Sequence, residues 1–329
     1  MKLLSLLLLA GIPASCQMVP LEQVAADAEA RSALAVPGGV PFHLRARISD
    51  EKDHDPQYDT TIEYWWRSPT VWRREVHSTA FTQTLTVNGT RSEEHDSAPY
   101  FPELVRSLMV ELITPIPRTD HLAALRRTVT KPDGKPGQIV EAYTVTGSDG
   151  TISRAIDASI AISRESGLLI YGGDIDWDVA MHDYSDFHGK QIARRLTAQR
   201  KAGPRLTATV TVLEDLTEAP FKIHHATRPQ DRLEILTIPE TTLRQLSLST
   251  PAPHWPAPPT GPKSGTLAMR VIVDREGKVR LIDDIFSDNP SLTPAAQQLL
   301  SWRFHPYLNH GVPAQVISTL TFAFGPDQP

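Results

Sequence analysis

The chain has 329 residues, 40% of them hydrophobic and 22% charged, a balance that suits about two globular domains of roughly 150 residues each. Its net charge of -5 and the lack of any basic tail argue against a nucleic-acid partner. Proline is frequent, at 28 residues, and gathers in clusters that mark turns and linkers.

The first residues, MKLLSLLLLAGIPASCQ, place one Lys before an apolar run, with small residues following. This is the pattern of an export signal over residues 1–16. The run from Leu3 to Ile12 is too short for a membrane span, which needs about 20 residues. Cys16 is the only cysteine, so an internal disulfide is excluded. It stands where bacterial lipoproteins are lipidated, although Pro13 occupies the position that usually holds Leu. Lipidation at Cys16 and simple cleavage after Ala14 both stay open.

Residues 20–34 have apolar positions at helical spacing. Extended segments follow: PFHLRARI, TIEYWWRS, VWRREVHS and TQTLTVNGTR. Asn88-Gly89 in the last of these is a hairpin-turn signal. PELVRSLMVELI (102–113) reads as a helix stopped by Pro115 and Pro117. From about 138 to 216 the strand pattern resumes. Many successive strands with few helices predict a large antiparallel sheet, curved or partly closed around a helix. Residues 226–265 form a connector whose PAPHWPAPPTGPKSG end is proline-rich.

The last sixty residues alternate as strand (266–274), turn, strand (278–287), helix and strand (312–324). Thr293 is a plausible N-cap, followed by Pro294 at the first helical position. Asn309-His310-Gly311 turns the chain into the last strand.

This C-terminal order, with Val273-Asp274, Gly277-Lys278-Val279, Ala295-Ala296, Trp302-Arg303-Phe304, Pro306, Gly311, Pro313 and Phe322 in sequence, resembles the TonB C-terminal domain over residues 252–325. Upstream, EYWWRSPTVWRREV, VNGTR and IDASIAISRESGLLIYGG make residues 20–225 similar to LolA-like lipoprotein carriers. The two resemblances together imply an α+β chain. Its N-terminal part is a curved antiparallel half-barrel with helices, and its C-terminal part a small ββαβ domain (266–325).

Candidate chemistry is sparse. His305 and His310 flank Pro306, so they do not share a helix face as zinc-binding pairs do, and helix end and turn explain the segment better. His182, Asp186 and His188 could ligate a metal, or simply face water. Asp174, Asp176 and Asp178 alternate on one strand face, which suits acid/base work or the charge guarding a sheet edge. His224 and His225 are adjacent and would point to opposite faces of a strand. No nucleophile motif is present. The expectation is a protein without a cofactor and without enzyme activity. Tyr64 and Trp66 share a strand face opposite Trp65; on a curled sheet they either line a ligand face or form core.

The TonB resemblance implies a periplasmic binding module whose partner is an outer-membrane TonB-dependent receptor or another envelope protein. The expected mode is strand addition to the last strand, at Val312, Gln315, Val316, Ser318, Leu320 and Phe322. The 251–263 linker would reach only about 40 Å as polyproline, too short to bridge two membranes. The alternatives are a lipid or lipoprotein carrier built on the N-terminal half-barrel, holding an acyl ligand near Tyr64, Trp65 and Trp66, and a metal-dependent envelope enzyme.

Overall fold

The computed structural model describes residues 21–97, 99–115, 125–130, 140–145, 159–163, 165–173, 178–199, 204–218, 220–225, 227–249 and 264–325. Cys16, Asp174, Asp176 and the proline-rich stretch 251–263 lie outside these. Of Asp178 only the backbone is described.

The described chain is α+β, mostly antiparallel sheet with few helices. Helix α1 (Leu21–Ser32) precedes five strands: β1 (Phe42–Asp50), β2 (Thr60–Ser68), β3 (Val71–Ser78), β4 (Thr82–Asn88) and β5 (Arg91–Asp96). Helix α2 (Glu103–Glu111) separates them from seven more: β6 (Leu125–Thr130), β7 (Val140–Val145), β8 (Ser159–Ser163), β9 (Leu169–Gly173), β10 (Asp178–Phe187), β11 (Lys190–Gln199) and β12 (Arg205–Asp215). All twelve join one sheet in the order β5-β4-β3-β2-β1-β12-β11-β10-β9-β8-β7-β6. Two meanders therefore meet at the antiparallel pair β1–β12.

Alternation fixes which face is buried. In β1, Phe42, Leu44, Ala46 and Ile48 are fully buried, while His43 and Arg45 hydrogen-bond Glu63 on the opposite face. The two helices cover the apolar face. Ala25 and Ala28 of α1, and Leu104, Val105, Leu108 and Met109 of α2, belong to the same core as Ile62, Tyr64 and Trp66 of β2. The small residues of α1 allow close approach to the sheet. The β4–β5 hairpin turns one residue on from the expected Asn88-Gly89 pair: Gly89, at φ 65°, and Thr90 are its central residues, and Asn88 ends β4 opposite Arg91.

A second region follows. Its elements are β13 (Ile235–Thr237), α3 (Glu240–Gln245), β14 (Ser247–Ser249), β15 (Gly265–Val273), β16 (Val279–Ser287), a 3₁₀ helix (Pro290–Ser301), β17 (Arg303–Phe304), β18 (Tyr307–Asn309) and β19 (Val312–Phe324); β14 and β17 pair only with each other, and the remaining strands form the second sheet. The expected order of strand, strand, helix, strand is present. The helix differs in detail. Asn289, not Thr293, caps it by accepting from the Ser291 N–H, and Pro294 sits inside. Pro290 takes the first position, where a missing N–H leaves nothing unsatisfied. Leu292, Ala295, Ala296 and Leu299 pack with Trp302, Phe304, Val316 and Leu320 into a second core.

The last strand is not a free edge. The sheet runs β13-β19-β15-β16. β13 adds in parallel to β19, with Ile235, Leu236 and Thr237 opposite Gln315, Val316 and Ile317. β15 and then β18 occupy the other side of β19. The edge expected to take a partner is thus filled over 315–317 by the chain's own connector.

The two sheets touch through polar groups. The fully buried Gln315 amide accepts from the Phe101 N–H at 2.9 Å and donates to the Phe101 carbonyl at 3.3 Å. Arg270 pairs with Glu103 at 2.6 Å and Asp283 at 3.1 Å. The Arg275 N–H donates to the Pro99 carbonyl.

Candidate functional site

Strand alternation divides the three aromatics of β2. Tyr64 and Trp66 point to the buried face. Trp66 stacks on Phe42 with centroids 5.5 Å apart. The Tyr64 hydroxyl donates to the Met109 carbonyl of α2 at 3.0 Å, and burial pushes its pKa up. Trp65 lies on the other face, stacked on His43 at 5.4 Å. Of the three predicted ligand residues, two therefore lie together on the buried face packed by α2, and Trp65 is separated from them by the sheet.

The same face turns polar across β3, β4 and β5. Cross-strand pairing sets Arg74 beside Tyr64, Glu94 beside Leu85, and Asp96 beside Gln83. Arg74 donates to the Gln83 side chain at 2.5 Å. Burial, then repulsion from Asp96, raises the Glu94 pKa, with Arg232 opposing at 3.4 Å. The face is thus an apolar floor bordered by a polar strip. Sequence reasoning passed over Arg74, Gln83 and Glu94. Their signal was the period-2 register with Tyr64, but hairpin pairing is needed to read it.

The residues predicted to bind a partner strand are mostly spent inside the protein. Val316, Leu320 and Ser318 are buried, as is Gln315. Phe322 meets the Trp302 ring edge-on at 5.5 Å, with the Arg244 guanidinium 4.9 Å above it. Val312 pairs with Asn309 across a hairpin.

Two of the candidate histidines are explained by turns. His188 and His310 have φ 51° and 49° and each precedes a glycine at φ 78° or 82°. Each His-Gly pair closes a two-residue hairpin, joining Phe187 to Lys190 and Asn309 to Val312. Such turns need positive φ at both central positions, a conformation His adopts more readily than most residues. His188 bonds Asp215 at 2.5 Å, Asp186 accepts from the Gly189 N–H, and His182 stands opposite Arg195. Burial, with help from Arg195, lowers the His182 pKa. His305, His224 and His225 are exposed. Among the described residues, no three His, Cys, Asp or Glu side chains are gathered as a metal would require.

No family model matches the sequence, and no curated protein is similar to it. Some solved structures are similar to part of it. A LolA superfamily protein of Nitrosomonas europaea is 10% identical, covering 62% of this chain and 96% of its own, at a TM-score of 0.39. A DUF1329 family protein of Desulfovibrio piger is 7% identical, covering 61% and 95%, at 0.40. A lipoprotein-sorting domain of Vibrio parahaemolyticus is 9% identical, covering 60% and 92%, at 0.39. These are low-scoring resemblances, and none bears on a ligand. Among the described residues, no helix is long and apolar enough to cross a membrane.

Proposed function

We propose that this is an exported binding protein of the cell envelope that carries an acyl-bearing ligand against the inner face of its twelve-stranded sheet. The carrying observation is the inner face of β1 and β2. It presents Phe42, Leu44, Ile62, Tyr64 and Trp66 in one apolar surface, roofed by two short helices. An acyl chain that slid between α2 and the sheet would exchange one apolar contact for another. The adjoining strip of Arg74, Gln83 and Glu94 would keep the ligand's polar end toward one side. This reading agrees with the LolA-like sequence resemblance and assigns the chain no catalysis.

The self-covered edge of β19 weighs against strand addition by a receptor at Val312–Ile317, so docking to a TonB-dependent receptor has less support than carriage.

The test is direct. Protein purified from a periplasmic extract is analysed by native mass spectrometry, then stripped of lipid and titrated with a fluorescent fatty acid. Carriage predicts a bound lipid mass and saturable binding that Tyr64→Arg abolishes while the protein stays folded. No bound mass together with no saturable binding refutes it.

A further inference from the structure

A cavity lies away from the apolar face proposed for an acyl chain, between α2 and the outer face of the second sheet. Its volume is about 550 Å³, within the range of small-ligand sites, roughly 300–1,000 Å³. Arg106 and Glu103 of α2 form one wall, and Thr237, Ile317 and Thr319 the opposite one.

The backbone in this cavity has an open rung. The Gln315 N–H donates outward to the Glu234 carbonyl, and the Ile317 carbonyl accepts from the Ile238 N–H. Thr321 also bonds outward: its N–H to the Glu240 carboxylate at 3.0 Å, its carbonyl from Arg244 at 2.6 Å. Odd residues of β19 therefore point their backbone groups away from β15. β19 pairs with β15 without a break from Val316 to Phe324, so Thr319 must do the same. The β13 ladder stops just before this rung because the chain turns at Pro239 into helix α3. Among the described residues, nothing outside β19 bonds to the Thr319 N–H or carbonyl.

One open rung cannot hold a strand that runs through, because the chain's own groups fill the rungs on either side. It can hold a chain end. The charges choose which end. Glu103 is engaged by Arg270 at 2.6 Å, and Glu240 by Arg244 at 2.7 Å, so neither carboxylate is spare for an ammonium. Arg106 is 41% exposed, and its one ionic contact among the described residues is to Glu103 at 3.8 Å. Its guanidinium keeps several donors for a carboxylate.

We propose that this cavity binds the C-terminal end of an extended peptide, whose backbone pairs with Thr319 and whose terminal carboxylate is held by Arg106. The apolar side chain of Ile317 on the wall favours a small aliphatic residue at the end of the peptide. The site is independent of the acyl face, so either can fail without the other.

The experiment uses the full chain, labelled with nitrogen-15, and two probes: acetyl-Thr-Val-Thr-Val with a free carboxylate, and the same peptide amidated. Titration to about 5 mM allows for the weak affinity of so small a contact. The free acid is expected to shift the Thr319 amide resonance. Amidation, or Arg106→Gln, should each weaken binding about tenfold, the loss of one charge-assisted pair. Thr319→Pro should abolish it; if that variant does not fold, Arg106→Gln on an exposed side chain decides alone. An unmoved Thr319 resonance, equal binding of the amidated peptide, or binding unaffected by Arg106→Gln overturns the proposal.

Discussion

The two sheets solve the same problem, the unpaired strand edge, in different ways. Apart from the join of β1 to β12, the twelve-stranded sheet pairs strands that are neighbours in sequence. The second sheet is smaller and takes β13 from well upstream in the chain, setting Ile235 beside Gln315. One connector serves both. Its Thr227 hydroxyl accepts from the Glu94 N–H on the edge strand β5, and its Leu233 N–H donates to Asp96. A few residues later it becomes β13. Exposed edges invite association with other chains. Here the covering of both edges is one continuous stretch, which ties the first sheet to the second.

The largest break in this comparison should come at Gly277. Its φ is 83°, and a Cβ there would lie 1.9 Å from the Phe304 carbonyl oxygen. Gly277→Ala therefore adds about 1–2 kcal/mol of backbone strain to about 1–3 kcal/mol of overpacking. The second sheet should unfold at lower denaturant, seen by Trp302 fluorescence, while exchange protection in β1 and β12 persists. Loss of protection in both sheets together would show that they are one cooperative unit. The next effect is at the join. Gln315→Ala leaves the Phe101 N–H and carbonyl buried without partners, at about 1–3 kcal/mol. Calorimetry should then resolve two transitions where the parent chain shows a narrower one.

The same contrast governs what the sequence disclosed. The helices at 21–32 and 103–111, most strands of the first sheet and the place of the β4–β5 turn follow from periodicity and turn chemistry, which act over a few residues, whereas β6 at 125–130 was passed over. The order of the last sixty residues was readable for the same reason. What stayed hidden was non-local. Nothing in ILT at 235–237 says that it pairs with residues 315–317, so β19 read as an edge. Gln315 looked available for a partner because its bond to Phe101 depends on how two distant segments meet. His188 looked like a metal ligand because the His-Gly pair is a less familiar turn signal than Asn-Gly, whereas the turn at Asn309-His310-Gly311 was readable from its glycine.

Smaller effects sharpen the picture of the inner face. Tyr64→Phe removes the bond to the Met109 carbonyl and should cost about 1 kcal/mol. Its mark should be faster amide exchange in α2 with little change in β2, since the ring still packs. If exchange in α2 is unchanged, the helix is held by its apolar side chains alone.

Glu94 gives the smallest effect and a sign that can be checked. Burial and the neighbouring Asp96 raise its pKa, while Arg232 and Arg74 pull the other way. A carboxyl whose pKa is raised by folding favours the native state most below its unfolded pKa, and loses that contribution as pH climbs to the folded value. At neutral pH the ionised group is therefore a burden on the fold. Glu94→Gln, which keeps the shape and removes the charge, should raise the melting temperature at neutral pH. The gain should vanish below the ordinary glutamate range, where both side chains are neutral. A lower melting temperature at neutral pH would instead mean that the 3.4 Å pair with Arg232 outweighs burial. The polar strip would then be a bond between the connector and the first sheet, and not a strained border waiting for a ligand's polar end.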